Sequence, residues 1–180
     1  MFDGAYQNCL GALGNSVAPG LGQAADILWV ANRTGVDPTL LSVTWRFEGS
    51  TNDLGQFNLA PTTNKHSADT NIGDVGPGQL YPPTWNKSPY TDGLRNPFGT
   101  NTQVGQSFNG NSVENLVVTA RALNSFAGPV RGANRADAAG LYRAGSRTNE
   151  GYKERVQNFK NNYKNYDRFF GCLAKKGFSP

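Results

Sequence analysis

Apolar residues recur at three- and four-residue steps near both ends of this 180-residue chain, and the long stretch between them is polar and lacks that rhythm. A step of this size stacks side chains on one face of an α-helix, whereas a half-buried strand needs strict alternation. Ala24, Ile27, Leu28 and Ala31 mark a helix from Leu21 to Thr34, and Gly35 is its expected stop. Asp37-Pro38 announces the next one. Asp in the capping position accepts a bond from an orphan backbone N–H, and Pro fills the first helical position without wasting a donor. This second helix runs toward Glu48, with Gly49 as its expected breaker. Farther on, Asn111 and Glu114 have the form of a capping box ahead of Leu116, Val117, Ala120, Leu123 and Phe126. A shorter helix is expected over 135–143, and a long one carries Tyr152, Val156, Phe159, Tyr163 and Tyr166 on one face. Aromatic stripes at that spacing are usually core, and Trp45 and Trp85 read the same way.

Residues 51–71 are rich in Asn, Thr and Gly and read as a hairpin or a long loop, either a cleft wall or a loose insertion. Residues 86–110 form a second irregular surface stretch. Helices, a polar middle with weak strand potential, then helices again indicate a mainly helical α+β fold, with the polar β/loop lobe as one wall of a cleft. A chain of this length fits a single domain, 1–180, since folding would bury roughly 70% of its exposable surface.

No membrane span is expected, because the longest apolar run, around 24–31, falls far short of the roughly 18 residues a bilayer helix needs. The net charge of +4 favours polyanionic partners. The bases are scattered, with only Lys175-Lys176 adjacent, so nucleic acid is the weaker candidate. Two cysteines, Cys9 and Cys172, lie near opposite ends. A bond between them would close a loop worth roughly 4 to 5 kcal/mol in the entropic account and would suit an exported protein; two unrelated buried thiols are the alternative. The first six residues carry no secretory signal, so export is expected with the leader absent from this numbering.

Chemistry converges on carboxylates. Glu48 ends the apolar stretch 40–47, and a carboxyl group held against Trp45 and Phe47 loses hydration, which favours its neutral form and suits a general acid. The bland alternative is a helix-end carboxylate in a salt bridge. The only histidine, His66, lies in the polar stretch with no nucleophile signature beside it and reads as a surface imidazole. A lone histidine and two distant cysteines give no metal site, Gly76-Pro77-Gly78 is too little for a phosphate loop, and no cofactor is implied. Acids that work without metal or nucleotide are the equipment for cleaving glycosidic bonds.

Four elements in order resemble the family of soluble-type lytic transglycosylases and goose-type lysozymes. They are Asp37-Pro38-Thr39-Leu40-Leu41, Phe47-Glu48-Gly49-Ser50, the stretch from Gly73-Asp74 through Gly76-Pro77-Gly78-Gln79-Leu80-Tyr81 to Trp85, and Leu141-Tyr142-Arg143-Ala144-Gly145. The match covers about 21–166. It implies a lysozyme-like fold, cleavage of peptidoglycan glycan strands by a monomer, and Glu48 as general acid. It also implies Gln79 lining the cleft, Tyr142 beside the acid, and Ser50, Tyr81 and Arg143 as further substrate contacts. Departures are Gly49 before Ser50, Pro77 and Gly78 in place of Leu and Met, and Arg143 in place of Asn. A transglycosylase needs Glu48 alone. An inverting hydrolase would add a second carboxylate roughly 6.5 to 9.5 Å away, for which Asp74 stands ahead of Asp69 and Asp53, although an Asp before a Gly-rich segment also serves as a turn former. A noncatalytic wall-binding module on the same fold is the reading from another class.

Overall fold

The computed structural model describes residues 1–48, 78, 88–94, 112–127 and 135–180. Among them are six α-helices: α1 (Phe2–Cys9), α2 (Leu21–Thr34), α3 (Pro38–Glu48), α4 (Ser112–Ala127), α5 (Arg135–Ala144) and α6 (Glu150–Lys175). Short 3-10 turns occupy Leu10–Leu13 and Pro89–Thr91.

Local chemistry sets the helix ends. The Gly20 N–H donates to Gln23 Oε1 at 2.7 Å where α2 begins. Gly35 closes α2 at φ 73°, a left-handed conformation that costs a residue without Cβ nothing, and its N–H donates to the Ala31 carbonyl. Asp37 caps α3, its Oδ1 accepting from the Leu40 N–H at 3.1 Å. At α6 the cap is Asn149, whose side chain accepts from the Gly151 N–H.

Helix α3 is buried from Pro38 through Trp45, so it runs through the interior. Around it, α6 packs against α3, α5, α1 and the Leu10–Leu13 turn, while α2 packs against α3 and α4. Trp45, Tyr166, Phe169, Ile27, Leu41 and Leu123 are among the fully buried side chains of the core. Polar ties lock the layers together. Arg135 on α5 donates to both carboxylate oxygens of Asp167 on α6, at 2.7 and 3.1 Å, and its guanidinium lies over Tyr163 at 5.3 Å. Thr39 on α3 donates to the same Asp167, and Asn124 on α4 donates to the Thr34 carbonyl that ends α2. A disulfide joins Cys9 to Cys172, with Cα atoms 5.7 Å apart, and clasps α1 to the far end of α6.

The α+β expectation is corrected: the described residues are 78% helical with no strand or sheet, so the architecture they form is all-α. Every apolar face among them repeats at helical steps. The strand reading rested on Thr- and Asn-rich composition, which is weak because strand preference depends on cross-strand packing more than on residue type. The supposed hairpin over 51–71, the Asn111 cap, His66 and Trp85 lie outside the described residues. Within the stretch 86–110, the Pro89–Thr91 turn is tied down by Arg121 of α4, which donates to the Tyr90 and Asp92 carbonyls. Sequence periodicity did not anticipate α1, and α6 runs well past Tyr166 to Lys175. No described helix is long and apolar enough to cross a membrane.

Candidate active site

The apolar face of α3 aims the end of that helix at the junction of α5 and α6. Glu48, its last residue, has a side chain only 6% exposed. Oε1 lies 3.1 Å from Nη2 of Arg155 on α6, and Oε2 lies 3.8 Å from Nη1 of Arg143 on α5. The two arginines differ in setting. Arg155 is buried, with a side chain 7% exposed, whereas Arg143 is half exposed.

Arg155 is held by more than its charge. The Nη2 atom that faces Glu48 also donates to the Phe47 carbonyl at 3.1 Å, and the guanidinium lies over the Phe47 ring at 5.4 Å. Nε and Nη1 are buried without a hydrogen-bond partner among the described residues. Burial lowers the Arg155 pKa from its ordinary value; Glu48 opposes that shift and Arg143 adds to it. Around Glu48 itself two influences conflict. Burial disfavours a charged carboxylate, and a guanidinium at 3.1 Å favours it. The carboxyl group thus ends the apolar stretch as expected and also has the salt-bridge partners of the alternative reading, Arg155 and Arg143.

A second cluster sits beside the first. The Tyr142 hydroxyl donates to the Gly78 carbonyl at 2.6 Å, and the Gly78 N–H donates to Asn115 Oδ1 at 2.8 Å. Thr119, one turn along α4, donates to the Asn115 carbonyl and lies 3.4 Å from the Tyr142 hydroxyl. A Cβ on Gly78 would overlap Thr119 Oγ1 and sit 2.6 Å from the Tyr142 hydroxyl, so only glycine fits this close approach. Residue 78 is thereby docked on α4 and α5 through both of its backbone polar groups.

Of the residues singled out from the sequence, Glu48 and Arg143 come together here through their ion pair, and Tyr142, next to Arg143 on α5, is bonded to Gly78. Ser50, Asp74, Gln79 and Tyr81 lie outside the described residues, as do Gly49, Asp53 and Asp69. Cys9 and Cys172 are paired far from Glu48 in the sequence. Trp45 is fully buried, as its place in the α3 stripe implied. No group of three or more potential metal ligands occurs among the described residues.

Three contributors were missed. Arg155 stands four residues before buried Phe159 on the inward face of α6, and a charged residue in such a place signals a buried partner. Asn115 and Thr119 are polar residues on the inward face of α4, both buried, and their i, i+4 spacing was the available signal.

Comparison of the chain with family models, with curated proteins and with solved structures returned no match.

Proposed function

We propose that this chain is a peptidoglycan-cleaving muramidase that acts on the β-1,4 bond after the muramic residue, working as a lytic transglycosylase with Glu48 as its acid and base. The observation that carries this reading is the meeting of motif residues far apart in sequence. Glu48 ends α3, Arg143 pairs with it, and Tyr142 beside Arg143 is bonded to Gly78 of the Gly-Pro-Gly-Gln element. The family resemblance implies such a meeting, and no structural requirement of a helical bundle does.

The chemistry needs one carboxyl group. Protonated Glu48 donates its proton to the bridging oxygen as the bond from that oxygen to the muramic C1 breaks, leaving the next sugar with a free hydroxyl. The C6 hydroxyl oxygen of the muramic residue attacks the cationic C1 and its proton passes to the Glu48 carboxylate, which restores the acid and gives a 1,6-anhydro product. An inverting hydrolase would instead direct water from a second carboxylate, with Asp74 in that role. The disulfide supports export to an oxidising compartment.

Digested sacculi provide the test. Glu48→Gln is expected to lower release of soluble fragments by at least about 10²-fold. The parent products should end in anhydro-muramic acid; reducing ends would mean the hydrolase. Parent-level release by Glu48→Gln would sink the catalytic reading. One observation favours a noncatalytic glycan-binding module: the Glu48–Arg155 ion pair is what a purely structural carboxylate would also form. Saturable binding to sacculi with no fragments released would select it.

A further inference from the structure

A buried arginine that leaves donors unbonded is expensive to keep, since transferring a charge from water costs several kcal/mol even after the protein relaxes around it. Arg155 is in that position, with Nε and Nη1 buried and without hydrogen-bond partners among the described residues. A buried ion pair is poor evidence of a stability role, because apolar side chains of similar volume often serve as well. Its geometry is informative instead. One nitrogen, Nη2, lies 3.1 Å from Glu48 Oε1 and donates at 3.1 Å to the carbonyl of the preceding residue, Phe47. The side chain is thus fixed against the backbone of the very turn that presents Glu48. The other oxygen, Oε2, faces Arg143, which is half exposed and 3.8 Å away.

We propose that Arg155 is the positioning residue of this site: through one nitrogen it pairs by charge with the buried Glu48 Oε1 and donates to the Phe47 carbonyl, and so fixes the carboxylate with Oε2 as the oxygen that exchanges the proton with the glycan. This rests on the muramidase reading. It adds a division of labour between the two oxygens and between the two arginines. Arg155 faces the buried oxygen, and half-exposed Arg143 faces the other. Other charged or titratable groups acting on Arg155 are Tyr142 from α5 and Glu154 from α6.

The sign of the pH effect follows. Removing the Arg155 cation disfavours the carboxylate, so Glu48 should keep its proton to higher pH, and the alkaline limb of kcat/KM should move up. Arg155→Met is expected to raise both the Glu48 midpoint, read by 13C carboxyl NMR, and that limb by about one pH unit or more. Arg155→Lys keeps the charge but not the two-point hold. Its limb should stay in place while kcat falls roughly 10- to 100-fold at unchanged KM. An unchanged Glu48 midpoint in folded Arg155→Met, a drop in rate that is uniform across pH, or parent-level kcat in Arg155→Lys would overturn the proposal. Should Arg155→Met fail to fold, Arg155→Lys alone decides it. If the parent itself releases no fragments, the muramidase reading fails, and with it the assignment of Oε2 as the reacting oxygen; the NMR midpoint still decides whether Arg155 acts on the Glu48 carboxyl.

Discussion

Gly78 shows how little freedom single residues have in this molecule. Its N–H and carbonyl are both consumed by side chains, Asn115 and Tyr142, and the space where a Cβ would stand is filled by Thr119. Gly78→Ala should therefore push Tyr142 and Thr119 away and cost about 1–3 kcal/mol, visible as a lowered Tm together with weaker fragment release. Tyr142→Phe separates the two effects. It keeps the ring but deprives the Gly78 carbonyl of its donor, at a cost of about 1–3 kcal/mol where that carbonyl stays buried. At Glu48 the same scale governs chemistry, because one buried cation 3.1 Å away favours the charged carboxylate that burial disfavours. A carboxyl group alone among aromatic rings is a different reagent from one facing Arg155.

Between elements, small residues and charged clamps fix how helices meet. Gly140 lets α5 approach α6 closely: a Cβ there would stand 2.5 Å from the Tyr152 ring and 2.8 Å from Val156. The Tyr152 ring cannot simply swing aside, because its hydroxyl donates to Asp137 at 2.6 Å. Gly140→Ala is expected to destabilise by about 1–3 kcal/mol in urea unfolding. Asp137 also accepts two bonds from Arg147, which with Tyr152 hold its carboxyl below the usual range. Because the folded value lies below the unfolded one, this stability is present above the ordinary carboxylate range, about pH 4, and is lost as pH falls through the folded value. Replacing Asp137 by Asn should flatten the acid side of a Tm-against-pH curve, slightly, since Arg147 is exposed and solvent screens the pair.

The helices themselves were legible because periodicity and end chemistry agree. Asp37-Pro38 and Gly35 bracket real boundaries, and the bounds of α2 match the apolar pattern. What the pattern could not supply was partnership. Nothing in the order of residues says that position 155 of α6 meets position 48 of α3, because that contact depends on how two helices cross, and crossing is set by packing of whole faces. Glu48 was legible as a candidate acid; its counterion was not. The α1 helix escaped notice for a simpler reason. Eight residues interrupted by Gly4 give too short a stripe to read, and its helicity depends on docking Tyr6 against Phe169.

For the molecule as a whole, the long helix α6 and the disulfide are the organising features. Tyr166 is fully buried on α6 and donates to the Val17 carbonyl, and Tyr6 reaches the Pro19 carbonyl, so the segment between α1 and α2 is stitched down from both sides. Cutting the cross-link by a Cys9→Ser, Cys172→Ser double change should cost about 2–5 kcal/mol, with the sequence separation of 163 placing it toward the upper end in the entropic account. A thermal melt with and without reductant reads the same quantity on the parent.

Helix α6 contacts α1, α3 and α5, yet it is the last of these to be synthesised. One rod thus gathers three others, and the charged couple at Glu48 exists only where that rod lies against α3, because Arg155 belongs to α6.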